Sequence, residues 1–285
     1  MEIGVGRGGV LEAYFWGQDS DVETNYARYR ETLAIVQEGL SHDELTYQGQ
    51  FYNFDRLPMR LRPIQQPHPP FWYMRNVETA AIDGMNTIIV GSLDSFEANV
   101  RRYRELWAQH HGPEFRTAHG TAPKIGLVHH MVLAETDAEA LELARPAWEH
   151  YKWNLSAPRR LEAEKRGLNQ FLVPNERMRP KAAPEREARR DLYWSLTERT
   201  EEEKQARQTP GGLGGDGQGA GFSVVAGTPD SARRYMDEYL KTGANYFVCS
   251  FQWGSLTHDH ALRSLELFAT EVMPQYGEAQ AASKR

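Results

Sequence analysis

The sequence predicts an α/β protein built on a parallel sheet, and three observations carry that reading. Short apolar runs bounded by glycine or proline alternate with stretches of helical periodicity. Each return to a strand follows a segment long enough for a crossover helix. The composition, 40% hydrophobic and 25% charged over 285 residues, supplies a core and excludes collagenous, wholly disordered and coiled-coil chains. The length suits either two ordinary domains or one large barrel-type domain.

The first strand is Glu2-Ile-Gly-Val-Gly-Arg-Gly8, running into a glycine turn with no helix signal directly behind it. Tyr26, Tyr29, Leu33, Val36 and Leu40 recur at spacings of three and four, which predicts a helix with these residues on one stripe. Ser41 to Glu44 has capping-box spacing and predicts a further helical turn, followed by a loop at Gly49, Phe51 and Tyr52. The proline density from Pro58 to Pro70 predicts an extended connector. Phe71 to Met74 is then a strand, Glu78 to Asp83 a helix and Asn86 to Val90 a second strand, a βαβ unit.

Phe96, Val100, Tyr103 and Trp107 keep helical spacing up to His110, His111 and Gly112. Lys124 to Leu133 is the next strand, and the capping box Thr136 to Glu139 opens a helix that turns Leu141, Ala144, Trp148 and Tyr151 inward. Residues 155–222 read as an insertion, charge-dense and ending in the glycine-rich stretch 209–221, either a lid or a plain insertion. The scaffold resumes where Thr228 caps a helix with Pro229 in its first turn and Ala232, Tyr235 and Tyr239 inward. A strand from Ala244 to Phe251 and a helix with Leu262, Leu265, Ala269 and Val272 inward complete residues 1–276, and 277–285 is a frayed tail.

A net charge of −6 argues against a nucleic-acid partner, which calls for a basic face. The single cysteine, Cys249, has no internal partner, and the N-terminus lacks the pattern of a secretory signal, so a cytoplasmic setting is expected. No apolar run approaches the roughly 18 residues of a membrane span.

Two turns suit an anion. Gly6, Arg7 and Gly8 combine close backbone approach with a guanidinium fork, against the alternative of a tight turn with a surface arginine. Arg75, Asn76, Glu78 and Thr79 stand where a parallel strand gives way to a helix, whose first N–H groups attract an anion; ordinary capping by Asn76 or Thr79 is the alternative. His129 and His130 are neighbours in a strand, so one faces each side, and either is a candidate for proton transfer or a hydrogen-bonded core histidine. Trp253 offers a flat wall for an aromatic cofactor or a seal for the core. His258, Asp259 and His260 lack a further ligand at recognisable spacing, so no metal is expected. Cys249 reads as a small core residue, and no serine elbow or phosphate-loop lysine is present.

Several segments together resemble the bacterial luciferase-like, flavin-dependent monooxygenases: Glu2 to Gly8, Gly17, the helix around Glu31, Gly49 to Tyr52, Pro63 to Trp72, Ala134 to Ala140 and Ser264 to Pro274. The resemblance implies a TIM barrel that uses reduced FMN or, in some branches, the deazaflavin F420. It implies that Arg7 and the turn from Arg75 to Thr79 hold the flavin phosphate and that Trp253 lies near the ring. Against that family the glycine-arginine strand stands about fourth, so the expectation is a barrel incomplete at its N-terminus, with Met1 an internal methionine. The implied reaction is oxygenation of a small organic substrate with molecular oxygen, with reduced FMN supplied by a flavin reductase and a homodimer as the frequent assembly. The alternatives are F420-dependent hydride transfer and a non-catalytic flavin-binding fragment.

Overall fold

The structure is a computed structural model that describes residues 1–18, 21–74, 76–89, 93–171 and 223–276. The glycine-rich stretch, Arg75 and the tail lie outside these residues. The chain divides into two compact units, one of residues 1–88 and 101–124, the other of residues 89–100 and 125–285.

In the first unit β1 (Ile3–Val5), β4 (Phe71–Met74) and β5 (Asn86–Ile89) form a parallel array, with Val5 beside Tyr73 and Trp72 beside Asn86. Parallel pairing requires crossovers. Helices α1 (Val10–Phe15) and α2 (Val22–Ser41) intervene between β1 and β4, and α3 (Val77–Ile82) between β4 and β5. Phe71, Trp72 and Tyr73 are all buried, as expected of a strand covered on both faces. Tyr29 of α2 meets Tyr73 edge-on at 5.5 Å, and Asp21 caps that helix by accepting from the Thr24 amide at 2.7 Å. The later turns of α4 (Leu93–His111) also belong here, with Tyr103 donating its hydroxyl to the Met85 carbonyl.

An antiparallel hairpin, β2 (Glu44–Gln48) and β3 (Asn53–Pro58), stands apart from the parallel strands. Its turn is fastened by Glu31, whose carboxylate accepts from the amides of Gln50 at 3.0 Å, Phe51 at 3.0 Å and Tyr52 at 2.6 Å. Gly49 is required there, because a Cβ at that position would lie 2.1 Å from Glu31 Oε1.

In the second unit β6 (Ile125–Leu133) lies between β7 (Ser223–Gly227) and β8 (Tyr246–Ser250), parallel to both. Helix α5 (Asp137–Lys165) lays Ala140, Ala144, Ala147 and Trp148 against Val132, Ala134, Val224 and Ala226. Helix α6 (Pro229–Lys241) buries Ala232, Tyr235 and Tyr239, and α7 (His258–Leu267) buries Ala261 and Ser264. Asp137 joins distant parts of this unit, its Oδ1 accepting from the Thr228 amide and the Ser231 hydroxyl, each at 2.8 Å.

The alternation of parallel strands and helices is the predicted one, and five local readings are corrected. Ser41 closes α2 and gives its hydroxyl to the Gln37 carbonyl, and Glu44 opens a strand paired with Pro58 rather than a helical turn, in a hairpin whose turn the Glu31 clamp holds. A helix, α1, does follow the glycine turn directly. Regular helix continues through Lys165 into the stretch assigned to the insertion, supported by an Arg166–Glu162 pair at 2.7 Å. Ser223–Gly227 adds a strand, β7, between the predicted insertion and Thr228, where no element was predicted. On α7 and the π-helical turn that follows it, Phe268–Val272, the inward residues are Ala261, Ser264, Phe268 and Val272, while Leu262, Leu265 and Ala269 are exposed. The Ser264 hydroxyl receives the Leu133 amide at 2.7 Å, which turns that face inward in place of the leucines.

Candidate cofactor site

The turn after β1 carries Gly6, Arg7 and Gly8 at the C-terminal end of a parallel strand, the end at which ligands bind in sheets of this kind. Register sets Val5 against Tyr73, so the turn leaving β4 begins beside it, one inter-strand spacing of about 4.8 Å away. Gly8 adopts φ +73°, a left-handed conformation that other residues reach only with strain. Around Gly4, Gly6 and Gly8 the space is open, since a Cβ at any of them meets no atom within 4 Å. Arg7 itself is half-buried, and its Nη1 is shielded from solvent without a hydrogen-bond partner. A buried guanidinium nitrogen left unpaired is costly, and an oxyanion is its natural complement.

Among the described residues of the second predicted turn, Asn76 and Glu78 have partners within the protein. Asn76 caps α3, its Oδ1 accepting from the Thr79 amide at 3.0 Å. Glu78 pairs with Arg102 at 3.0 Å on the surface, and Thr79 is buried. The helix is only six residues long, so its dipole is small. Capping, the alternative reading of this turn, accounts for the contacts of Asn76 and Thr79.

The remaining candidates belong to the second unit. His129 is fully buried: its Nδ1 donates to the Val248 carbonyl at 3.1 Å, and its ring stacks on Phe247 at 4.3 Å. Tyr235 and Tyr239 meet the same ring edge-on, each at 5.1 Å. Burial pushes its pKa down to about 3, so the ring is neutral at physiological pH. His130 faces the opposite side, against Trp148, Tyr151 and Trp253. Trp253 is buried in that cluster and directs its indole N–H to the Met131 carbonyl at 3.4 Å, the position of a core seal. Cys249 is half-buried, with its thiol pKa raised by burial. His260 gives its amide to the Thr257 cap at 3.3 Å. Among the described residues no group of three or more His, Cys, Asp or Glu side chains is arranged to hold a metal. No helix among them is long and apolar enough to cross a membrane.

A phosphate-bearing cofactor fits the β1 turn on these observations: an unpaired buried cation donor, a strand C-terminus and open backbone at Gly6 and Gly8, whereas at Gly9 the Glu12 carboxylate fills the space of a Cβ. The helix directly behind the turn, α1, is the part that sequence reasoning missed; its sequence has no capping residue at Gly9 to announce it.

Comparison with known proteins agrees with this architecture. An uncharacterized protein of Sinorhizobium fredii, y4wF, is 27% identical over 282 residues, spanning 97% of this chain and 68% of the relative. The oxygenating constituent of 3,6-diketocamphane monooxygenase from Pseudomonas putida, solved with FMN, superposes with a TM-score of 0.58 at 16% identity, over 95% of this chain and 70% of that one. The F420-dependent tetrahydromethanopterin reductase of Methanopyrus kandleri gives 0.54 at 15% identity, over 96% and 73%. At such identities the structural likeness establishes the fold, an α/β chain of the TIM-barrel type. The family model for luciferase-like monooxygenases matches residues 1–246, and the chain belongs to that family.

Proposed function

We propose that this chain binds reduced FMN and takes part in oxygenating a small organic substrate with molecular oxygen. The observation that carries the proposal is the buried, unpartnered Nη1 of Arg7 beside an open glycine turn. In this reading Arg7 holds the flavin phosphate, Gly6 and Gly8 let it reach the backbone, Asn76, Glu78 and Thr79 shape the neighbouring turn, and Arg75 is a further candidate for cofactor binding. Trp253 acts from within the core, by keeping the sheet rigid. His129 has no acidic proton to give at neutral pH, and its role is to fill the aromatic core. When bound, reduced flavin supplies two electrons to oxygen, so that one atom enters the substrate and the other leaves as water. A flavin reductase as electron source, a cytoplasmic setting and a homodimer complete the proposal.

The test uses the phosphate as the variable. Arg7→Gln weakens FMN binding by about tenfold to a hundredfold, the range of a charged hydrogen bond, and leaves riboflavin binding unchanged. Equal losses for both flavins, or none, overturn the assignment. A second reading, F420-dependent hydride transfer, is favoured by the likeness to the Methanopyrus reductase. Substrate-dependent oxygen uptake with reduced FMN supports the first reading; substrate reduction by F420 under anaerobic conditions supports the second.

A further inference from the structure

A cavity of about 200 Å³ opens in the first unit at the N-terminal ends of β4 and β5, the opposite ends of these strands from the proposed phosphate turn. Pockets for drug-sized ligands begin at roughly 300 Å³, so this one suits a single ring. Its walls are flat and aromatic. His68, in the proline-rich connector, meets Phe71 edge-on at 4.8 Å, and Trp107 and His111 of α4 pack together at 4.6 Å. The second pair stands against the end of α3, where a Cβ on Gly84 would lie 3.3 Å from the His111 ring.

Two buried polar atoms of the lining residues have no hydrogen-bond partner. Asp83, beside Gly84, accepts from Arg30 with Oδ1, while its Oδ2 is shielded from solvent and unpaired on a side chain only 10% exposed. Trp107 is 2% exposed, and its indole Nε1 is likewise buried and unpaired. One orphan is an acceptor and the other a donor, and each is costly to leave bare. Of the formal charges on the lining, Asp83 is paired with Arg30 and Arg116 is exposed, so neither calls for a charged ligand. We propose that this cavity is a second ligand site for a small, neutral, planar cyclic amide. The ring N–H donates to Asp83 Oδ2, the adjacent ring carbonyl accepts from Trp107 Nε1, and the ring lies among the aromatic walls. A carboxylate would set like charge against Asp83, and an ammonium would leave the indole without an acceptor. The site is independent of the flavin assignment.

Calorimetric titration of the full chain with 2-pyridone, and with 2-pyrone as the isostere whose ring oxygen replaces the N–H, tests it. 2-Pyridone binds about tenfold to a hundredfold tighter than 2-pyrone, the range of a hydrogen bond to a charged group. Asp83→Asn, which keeps the shape but turns an amide N–H to the cavity when its carbonyl stays with Arg30, abolishes that preference. Trp107→Phe, which keeps an aromatic wall without the indole donor, weakens both ligands about threefold to tenfold and preserves the preference. Urea melts check that each variant is folded, and excess FMN leaves 2-pyridone affinity unaltered. No binding of 2-pyridone, equal binding of the two ligands, a preference that survives Asp83→Asn, an affinity that Trp107→Phe does not change, or competition by FMN each overturns the proposal.

Discussion

Glu31 and Arg7 are two charged side chains beside glycine-containing turns of the same unit, and their surroundings are opposite. The Glu31 carboxylate receives three consecutive amides, and its turn has no room for a Cβ at Gly49. The Arg7 guanidinium keeps a buried nitrogen without a partner, beside glycines with open space around them. A saturated charge is a structural rivet, and an unsaturated one next to free space is where a ligand belongs. His129 marks the limit of that rule. Its Nε2 is also buried and unpaired, yet rings of Phe247, Tyr235 and Tyr239 enclose it, and nothing can enter.

The contrast can be broken at each member. Glu31→Ala strands several buried amides at once and costs about 3 kcal/mol in stability, read from urea melts, with the ratio of FMN to riboflavin affinity unchanged. Loss of that ratio would mean the hairpin clamp also shapes the flavin site. For His129 the native pKa near 3 lies below the ordinary 6.5, so the unfolded state binds the extra proton as pH falls between these values and stability declines. Between pH 6.5 and 4.5 this group alone removes about 2 kcal/mol, the slope approaching about 1.36 kcal/mol per unit once the unfolded ring is largely protonated. His129→Phe flattens that part of the profile; an unchanged acid slope would show that the ring is solvated. Asn76→Ala costs about 1 kcal/mol as a lost helix cap and does not alter flavin discrimination. A selective loss of FMN over riboflavin in that variant would restore the second turn to the phosphate site. Glu78→Gln, which removes an exposed ion pair, shifts stability by under about 0.5 kcal/mol.

Much of this arrangement was legible in the sequence where local signals and burial agree. Phe71 to Met74 and Lys124 to Leu133 read as strands because they are apolar runs between proline, glycine and polar breaks, and both are buried in the fold. Thr228 and Pro229 announce α6 through capping chemistry that the structure contains. The hairpin β2–β3 was missed although Glu44 to Gln48 alternates polar and apolar residues and its burial follows that alternation, because Ser41 to Glu44 offers a competing cap and β3 is largely exposed. The α7 face was misread because leucine spacing outweighed one buried serine whose partner is remote in sequence. At the site, glycine and arginine spacing pointed to Arg7, but only coordinates separate an unpaired guanidinium from a satisfied cap at Asn76.

The Asp137 contact has a consequence for how such a chain tolerates change. Its carboxylate grips Thr228, 91 positions onward, so the departing helix and the returning one are tied together at their bases. A change at this one carboxylate is therefore felt at the start of α5 and at the start of α6 together, although the two lie far apart along the chain.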